Sequence, residues 1–346
     1  MMFDSMQSAI AYIFKTRRNL DQEPRGFDEA TRDISLTRKL LLRAHLLDST
    51  REYVVVTGSR GKGSVSSISA KLLESLGHTV GMVTSPHLVH WNERIRINGA
   101  MIPTDDFLRI LTSLQPIIDD ITAELTDTQY LSPQGVFLAI ALQWFNENDV
   151  NVAVLEVGRG GRFDDISVVP NKLAVFAPIM LEHTGLLGGT LERIAWHKAG
   201  IIKSNGQAVS VPQAPQVLTV IRKEADSLDA TFTWLARQDM AQLVREEPDG
   251  QVFRLGRYGE LYIPMIGRYQ LDNTSLAIQA VGNVHARLHG IPHASPDYVQ
   301  AIKDGLANVK WLGRSQKLQY HPAIYVDGAI TVESAKMFVA GVLSHL

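Results

Sequence analysis

The sequence contains no cysteine, which excludes disulfide bonds, thiolate metal sites and cysteine nucleophiles together. A cysteine-free chain fits a reducing compartment, and we expect a cytoplasmic protein. Long hydrophobic runs are also missing: "VFLAIAL" falls far short of the ~20 apolar residues that cross a bilayer, and predicts a buried helix segment. Near the N-terminus, Lys15 and Arg17 follow a short apolar patch instead of preceding it, which is the wrong order for a signal peptide.

An excess of charge of one sign is missing as well, since 34 basic and 36 acidic residues give a formal net charge of −2. This balance argues against non-specific binding to nucleic acid or to anionic membranes, and we expect neither as a partner. The hydrophobic content of 45% and the charged content of 20% are typical of a globular chain, and 346 residues are enough for two domains. We expect a monomer and leave a protein partner open.

Strand-like and helix-like segments alternate along most of the chain. Strands are predicted at Tyr53–Thr57, at Thr79–Thr84, in "VNVAVLEVG" and in "KLAVFAPI". Helices are predicted at Val65–Leu76, from an N-cap at Thr104, from Ser132-Pro133, from an N-cap at Thr190, and over "LDNTSLAIQAVGNVHARL". This alternation predicts an α/β fold with a doubly wound parallel sheet.

Three segments interrupt the alternation and divide the chain. Residues 234–263 combine short strand candidates with turn residues, which predicts a β insertion. The stretch "HGIPHASP" (289–296) has the composition of a linker, and "WLGRSQKLQYHPAIYVDGA" begins a new strand pair. We therefore predict a central domain over 1–295, a linker and helix over 296–308, and the beginning of a second, smaller α/β domain over 309–346.

One glycine-rich segment, "TGSRGKGS" (Thr57 to Ser64), joins a predicted buried strand to a predicted helix. It is a compressed relative of the phosphate-binding loop G-x-x-x-x-G-K-[ST]. Glycines let several backbone N–H groups converge on phosphate oxygens, the helix N-terminus adds positive potential, Lys62 reaches terminal phosphates and Ser64 reaches a bound Mg²⁺. A tight turn with a surface lysine is the alternative. The order strand, glycines, lysine, serine and helix favours a nucleotide phosphate.

Seven blocks in order along the chain resemble one family. They are "TGSRGKGS", "GMVTSPHLVHWNERIRING", "LEVGRGGRFDD", "LEHTGLLGGTLERIAWHKAGIIK", "GRYQLDN", "GRSQKL" and "VDGA". Each block alone is weak evidence, but the ordered set closely resembles folylpolyglutamate synthase and dihydrofolate synthase, a family of the Mur ligase superfamily with a P-loop ATPase central domain. The resemblance implies an ATP-dependent amide ligase, in which ATP phosphorylates a carboxylate and an amino acid amine then displaces the phosphate.

The resemblance also implies roles for single residues. ATP is expected at Gly58, Ser59, Arg60, Gly61, Lys62, Gly63, Ser64, Gln270, Asn273, Arg314 and Asp327. Mg²⁺ is expected at Ser64, His183 and Lys198, with room for a second divalent or monovalent cation. Lys62, His183 and Lys198 are the expected catalytic residues, with Lys198 carbamylated. Outside this resemblance a helix lysine is normally solvated, and the competing view is a plain cation that pairs with an acidic side chain such as Glu192 on the same helix.

The implied substrates are a folate-like carboxylate and an amino acid, with glutamate expected. Their expected contacts are Ser85, Pro86, His87 and Arg94 in the first loop, and Arg162 and Asp164 in the second glycine-rich loop with Gly160 and Gly161. From the residues alone, the first segment is equally a polar surface loop and the second a turn held by an ion pair.

Several positions depart from the family. Gly135, or Gln134 with a slip of one, stands where the family has a metal-binding glutamate, so we expect one Mg²⁺ to lose a carboxylate. Tyr269 replaces a usual histidine, and Ile330 and Thr331 replace a His-Asn pair near the nucleotide. A family member would also need roughly 100 more residues to complete the second domain.

Two classes of function therefore stay open. The first is an ATP-dependent ligase that adds glutamate to a folate-like carboxylate. Arg60, which is typical of the poly-γ-glutamate synthase branch, leaves room for a non-folate acceptor in this class. The second is a degenerate relative that binds nucleotide, or a partner, without catalysis.

Overall fold

A computed structural model describes residues 3–15, 26–290, 295–329 and 331–345. Its α-helices are α1 (Met6–Ile13), α2 (Asp28–Thr31), α3 (Ser35–Arg43), α4 (Lys62–Ser75), α5 (Thr104–Ala123), α6 (Pro133–Glu147), α7 (Thr184–Leu187), α8 (Leu191–Ala199), α9 (Pro215–Ser227), α10 (Tyr269–His289), α11 (Pro296–Ala307) and α12 (Val332–Leu343). Its strands are β1 (Glu52–Thr57), β2 (Val80–Val83), β3 (Ile95–Ile97), β4 (Ala100–Met101), β5 (Val152–Glu156), β6 (Leu173–Phe176), β7 (Gln207–Ser210), β8 (Thr231–Trp234), β9 (Gln242–Glu247), β10 (Gly250–Leu255), β11 (Gly259–Ile263), β12 (Gln316–Gln319) and β13 (Ile324–Val326).

Eight strands form a central sheet in the order β4-β3-β2-β5-β1-β6-β7-β8. The strands β2, β5, β1, β6, β7 and β8 run parallel, and the hairpin β3–β4 adds to β2 in the antiparallel sense. Every residue of β1 is buried, because strands neighbour it on both edges and helices cover both faces. The predicted doubly wound α/β sheet is confirmed.

The two faces of the sheet pack against different helices. Tyr53 and Val55 of β1 point into a core shared with α1, α3, α5, α6, α8 and α9. Val54 and Val56 point into a second core shared with α4, α10, α11 and strands β10 and β11. Alternate residues of one strand therefore serve opposite faces, as the pleat requires.

Two smaller sheets lie outside the central one. Strands β9, β10 and β11 form an antiparallel sheet within the range predicted as a β insertion, with one correction. Trp234, predicted as its first residue, instead ends β8 and pairs with Ser210 of β7 in the central sheet. Strands β12 and β13 form the predicted strand pair ahead of α12. Residues 291–294 of the predicted linker and Ile330 lie outside the described residues.

Two predicted helix starts are shifted. Helix α4 begins at Lys62 and not at Val65, because Gly61 adopts a left-handed conformation and the helix follows directly. Pro103, and not Thr104, is the N-cap of α5; Thr104 is the first helical residue. The other predicted N-cap, Thr190, is confirmed, since its side chain accepts the N–H of Arg193. Within the described ranges, no helix is both long and apolar enough to cross a membrane.

Candidate active site

The glycine-rich loop lies at the carboxyl end of β1, where close neighbours demand its glycines. Gly58 has a φ of 149° and Gly61 a φ of 80°, in the region that favours glycine. A Cβ on Gly58 would lie 2.7 Å from Cβ of Ala177, and a Cβ on Gly61 would lie 2.3 Å from Oδ1 of Asn273. The loop is therefore packed between the end of β6 and helix α10.

This loop leads into α4 and forms a preformed anion cradle. Gly61 is the N-cap, and no side chain in the described residues caps it, so the first N–H groups of the helix are available to an external acceptor. Ser59 holds the other side of the loop: its N–H donates to the Pro178 carbonyl at 2.7 Å, and its hydroxyl bonds the backbone of Met180. The helix dipole adds positive potential, which suits phosphate.

Two lysines share one carbonyl oxygen beside this loop. Nζ of Lys62 donates to the Gly58 carbonyl at 3.0 Å, and Nζ of Lys198 donates to the same oxygen at 2.9 Å. Lys198 is fully buried and pairs with Glu182 at 2.8 Å. An acidic partner was the alternative prediction, but the partner is Glu182 and not Glu192. Glu192 is six residues from Lys198 on α8, whereas side chains on one helix meet at a spacing of three or four.

The environment of Lys198 makes its ammonium group easier to deprotonate. Burial, together with the charge of Lys62, lowers the pKa of Lys198 to about 8, although Glu182 opposes the shift. The pKa of Glu182 is also below its usual value: burial would raise it, but the charges of Lys198 and Lys62 outweigh that effect. Lys198 is therefore far more often neutral near pH 7 than an ordinary lysine of pKa ~10.4.

A buried carboxylate that the sequence analysis did not single out lies beside the loop. Glu156 is the last residue of β5, and its Oε2 accepts the N–H of Ser85 at 3.1 Å. A Cβ on Gly63 would lie 3.5 Å from the same oxygen, so the carboxylate faces the first turn of α4. Burial raises the pKa of Glu156, while the charge of Lys62 opposes the rise. The sequence feature that could have identified Glu156 is that it is the one acidic residue of the apolar strand "VAVLE" and ends it.

The predicted loss of a carboxylate at Gly135 is wrong. Gly135 lies at the start of α6 against helix α3, where a Cβ would lie 2.1 Å from Oγ1 of Thr37. No side chain fits at this position without displacing α3, so Gly135 is a packing residue. Its neighbour Gln134 donates to Oδ1 of Asp164 at 3.2 Å. The carboxylate beside the phosphate loop is that of Glu156.

His183 lies at the N-terminus of the short helix α7 in a left-handed conformation, with a φ of 47° and a ψ of 37°. Its side chain is exposed. Partial desolvation lowers the pKa of His183, the charges of Lys198 and Lys62 act in the same direction, and Glu182 opposes them. The neutral imidazole is the form that ligates metals, and a lowered pKa favours it.

Gln270 and Asn273 are buried in the first turn of α10, against the loop. Nδ2 of Asn273 donates to Oε1 of Gln270 at 2.9 Å, which fixes the orientation of both amides. Nε2 of Gln270 is buried and makes no hydrogen bond within the described part of the chain. A buried donor without a partner beside a phosphate loop is a candidate ligand contact.

Arg314 and Asp327 lie together in the segment that follows α11. Oδ2 of Asp327 accepts the N–H of Ser315 at 2.7 Å, and Nη1 of Arg314 donates to the Gly313 carbonyl at 2.8 Å. The hydroxyl of Tyr269 bonds the hydroxyl of Ser315 at 2.7 Å. Tyr269, one of the departures from the family, therefore ties the start of α10 to this segment.

Two contacts join the phosphate loop to the same C-terminal segment. The indole of Trp311 packs over Gly63, where a Cβ would lie 3.1 Å from its ring, and its buried Nε1 has no hydrogen-bond partner among the described residues. Arg60 donates to Oγ1 of Thr331 at 3.0 Å and lies 3.6 Å from Glu182. Thr331 is also the N-cap of α12, which gives this second departure a structural role.

Part of the predicted acceptor loop forms a cationic and aromatic cluster. Nε of Arg94 donates to Nδ1 of His87 at 3.0 Å, and its guanidinium lies 4.9 Å from the ring centre of Trp91 and 5.2 Å from that of Phe137. Burial lowers the pKa of Arg94, and the charge of Glu156 opposes the shift. Within the described ranges Arg94 forms no ion pair, and Glu156 is the charged group that acts on its pKa.

Two of the predicted acceptor residues, Arg94 and Pro86, line cavities, and each lines a different one. Arg94 lines a cavity of about 230 Å³ with Phe14, Arg32, Tyr130, Ser132, Pro133, Gln134, Phe137, Gly158 and Arg159. Pro86 lines a larger cleft of about 470 Å³ between α4, β2–β3 and the C-terminal segment, which includes Arg96, Trp311 and Arg314. The backbone N–H of Ser85 donates to Glu156.

Neither of these two cavities is lined by Ser85, His87, Arg162 or Asp164. Arg162 turns toward α8 and α9, where it pairs with Glu224 at 2.7 Å and lies 4.4 Å from the ring centre of Trp196. Asp164 is fully buried and accepts the N–H groups of Gly158, Arg159 and Ile166 at 3.1 to 3.2 Å. Both side chains hold the second glycine-rich loop in place.

Comparisons with known proteins agree with this geometry. The family model of the Mur ligase middle domain matches residues 56–281. The dihydrofolate synthase/folylpolyglutamate synthase of Bacillus subtilis is 34% identical over 290 residues, which cover 81% of this chain and 65% of that protein. This chain thus spans just under two thirds of the length of that relative.

Solved structures extend the similarity to the whole described fold. The apo form of L. casei folylpolyglutamate synthase matches with a TM-score of 0.83 and 26% identity, covering 98% of this chain and 80% of that one. A complex of folylpolyglutamate synthase with AMPPCP and folate matches with a TM-score of 0.80 and 27% identity over the same shares.

Proposed function

Because the chain belongs to the folylpolyglutamate synthase/dihydrofolate synthase family of the Mur ligase superfamily, we propose that it is an ATP-dependent ligase that joins glutamate to a folate-type carboxylate. One observation carries the proposal. The phosphate loop, the lysine pair on its Gly58 carbonyl and the buried Glu156 converge at the carboxyl ends of neighbouring parallel strands. Ligands of open α/β sheets bind at this edge.

The reaction brings two anions together, so the site must concentrate positive charge. The acceptor carboxylate attacks the γ-phosphoryl group of ATP and releases ADP; the amine of glutamate then displaces phosphate from the acyl phosphate and forms the amide. The N–H groups of the loop and the dipole of α4 bind the phosphates, and Lys62 turns from the Gly58 carbonyl to the terminal phosphate. Lys198 keeps the hydrogen bond to that carbonyl.

The residues beside the loop fit Mg²⁺, which prefers oxygen donors. We propose that it is held by the hydroxyl of Ser64 and the carboxylate of Glu156, which face the same turn of α4, with His183 at the edge of the cluster. The burial that raises the pKa of Glu156 also makes a neighbouring cation favourable to its ionised form. When bound, Mg²⁺ supplies charge neutralisation on the phosphate oxygens.

We propose that Lys198 carries a carbamate. The ammonium group first loses a proton, and the neutral amine then adds CO₂ and releases a second proton. The product is an anionic carbamate in place of a buried cation. The product would lie near Lys62, whose charge now disfavours the ammonium form and would favour the carbamate. Glu182 would lose its partner Lys198 and keep Arg60, which lies 3.6 Å away.

We place the acceptor in the 230 Å³ cavity. Its aromatic walls suit a planar ring system, and Arg94 offers a partly buried positive charge to a carboxylate. The neighbouring arginines in this cavity are already paired, Arg32 with Asp165 and Arg159 with Asp28. Arg94 is therefore the cation whose charge an acceptor would use.

The test is a ligation assay with the full chain, Mg-ATP, glutamate and either dihydropteroate or tetrahydrofolate. Its two measurements are the amount of phosphate released and the mass of the product. We expect phosphate and a product heavier by one glutamyl group. Nucleotide binding without any product would support the non-catalytic alternative. Elongation of a glutamate oligomer, with neither pteridine used, would support the non-folate acceptor that Arg60 suggests.

A further inference from the structure

Three histidines from two distant parts of the sequence lie together at the end of α10. His78 is in the turn between α4 and β2, and His285 and His289 are one turn apart on α10. One ring nitrogen from each lies within 4.8 Å of the others. The ring centres of His285 and His289 are 4.6 Å apart, and those of His78 and His289 are 5.6 Å apart.

This cluster is separate from the phosphate loop. The loop lies at the N-terminus of α4, whereas His78 follows its C-terminus, and 14 residues at 1.5 Å each put about 20 Å between the two ends. None of the three histidines lines the two cavities described above.

We propose that His78, His285 and His289 bind one divalent transition-metal ion, of which Zn²⁺ is the representative. Neutral imidazole suits zinc, copper and nickel, whereas Mg²⁺ and Ca²⁺ take oxygen ligands, which this cluster lacks among its three members. Two histidines four residues apart on one helix face, joined by a third from elsewhere, are a common zinc arrangement that leaves a fourth position for water.

His78 is the buried member of the cluster, and one of its ring nitrogens is available to bind a metal. His78 is 9% exposed, and its Nε2 makes no hydrogen bond to the described residues. Asn151 contacts the same ring. A partner of this kind orients a metal-binding imidazole from behind.

Metal binding requires a small movement that the cluster allows. Bonds of 2.0–2.1 Å in a tetrahedral arrangement put ligand nitrogens about 3.3 Å apart. The nitrogens lie within 4.8 Å of one another, so no pair has to approach by more than about 1.5 Å. His289 is exposed and is the last residue of α10, ahead of Gly290, so its ring is free to rotate inward. His285 packs at 4.8 Å from the ring centre of Tyr298 and provides the firm side of the site.

The expected role is structural. An ion at this place would clamp the C-terminal ends of α4 and α10, the two helices whose N-termini carry Lys62 and Gln270. Binding to the folded chain stabilises it in proportion to the logarithm of the metal concentration over Kd.

The experiment titrates Zn²⁺ into the chelator-treated full chain, with excess Mg²⁺ present to occupy oxygen sites. Binding is measured by competition with a chromophoric chelator, and stability by the melting temperature. We expect one equivalent with a Kd of about 1 µM or tighter, and a higher melting temperature. His289→Gln, an exposed change, should weaken binding at least about tenfold, as should His78→Gln.

The matched control is His45→Gln, since His45 is exposed and pairs with Asp48 outside the cluster. It should bind Zn²⁺ like the wild type. No saturable binding in the wild type, stoichiometric binding retained in the His78→Gln, His289→Gln double variant, or an equal loss in His45→Gln would each overturn the proposal. Addition of Co²⁺ gives an independent readout, because a tetrahedral nitrogen site produces visible absorption that the double variant should lack.

Discussion

Lys62 and Lys198 donate to the same carbonyl oxygen, that of Gly58, at 3.0 and 2.9 Å. The two ammonium groups are thus held near one another, and the buried one has its pKa lowered to about 8. The partly exposed Lys62 is the mobile member of the pair. Each lysine accordingly has a different expected phenotype.

Removing Lys62 should weaken nucleotide binding. Lys62→Ala takes away the loop cation nearest to the terminal phosphates, and a charge-assisted contact to phosphate is worth at least about tenfold in affinity. Isothermal titration with a non-hydrolysable ATP analogue measures the change. The control is Lys71→Ala, on the same helix, which pairs with Glu74. Equal affinities for Lys62→Ala and the wild type would refute the assignment of the loop.

The extent of Lys198 carbamylation should increase with the fraction of its amine that is neutral. With a pKa of about 8, the neutral fraction rises from about a tenth at pH 7 to about nine tenths at pH 9, so labelling by bicarbonate rises over this range. A ¹³C-bicarbonate NMR signal should be present in the wild type and absent in Lys198→Ala.

Activity gives a second readout for the same residue. Bicarbonate should support the wild type, and short carboxylic acids should partly rescue Lys198→Ala. Lys203 is the control, since it is partly buried with a pKa also near 8 but bonds the Ser167 carbonyl away from the loop; Lys203→Ala should keep the signal. The idea fails if Lys198→Ala turns over like the wild type.

Glu156→Gln should raise the Mg²⁺ requirement of ATP turnover. The amide keeps an oxygen for the N–H of Ser85 but loses the charge, so the Mg²⁺ concentration for half-maximal rate should rise about tenfold or more. The melting temperature should not fall, because the variant no longer buries a carboxylate. Glu147→Gln, which alters a surface pair with Arg109, is the control. An unchanged Mg²⁺ profile would remove Glu156 from the ligand set.

Gly135→Ala should destabilise the fold. Its Cβ would lie 2.1 Å from Oγ1 of Thr37, which also donates to Asp165, so α3 must shift at a cost of about 1–3 kcal/mol. Urea denaturation measures the loss. Gly185→Ala in α7, where a Cβ meets nothing within 4 Å, should keep its stability. If both variants unfold at the wild-type midpoint, the packing at Gly135 is looser than described.

A comparison of two single variants, Arg94→Met and Arg96→Met, tests which cavity binds the acceptor. Arg94 lines the smaller cavity and Arg96 the larger cleft. Loss of the Arg94 charge should raise KM for the pteridine carboxylate about tenfold, leaving KM for ATP unchanged. Arg96→Met should leave both values near the wild type. The reverse pattern would move the acceptor to the cleft beside Trp311.

The local part of the site could be predicted from the sequence because it depends on neighbours along the chain. The order of strand, glycines, Lys62, Ser64 and helix determines the loop, and the apolar runs around it determine β1, β5 and β6. The reason why Gly58 and Gly61 have no room for a side chain is visible only when the positions of Ala177 and Asn273 are known. The glycines were predictable, whereas their contacts were not.

The parts that were missed depend on register between distant segments. Glu156 lies beside the loop because β5 pairs with β1 in a register that sets Val56 opposite Glu156, and sequence patterns do not specify that pairing. Glu182 reaches Lys198 for the same reason, since it follows β6 on the other edge of β1. The Gly135 prediction was wrong because α3 covers that turn of α6, and a short sequence motif does not reveal which helix packs there.

The insertion of β5 between β2 and β1 has a consequence for how the molecule assembles. Strands β1 and β2 are neighbours in the sequence but not in the sheet, because β5 lies between them. The edge of β1 that faces β2 therefore has no partner strand until residues 152–156 pair with it. Pairings over such separations form slowly, because the loop entropy is lost before the contacts form. Folding of the nucleotide site is therefore a late, long-range event, and a nascent chain that ends before β5 exposes an apolar β1 without its partner strand.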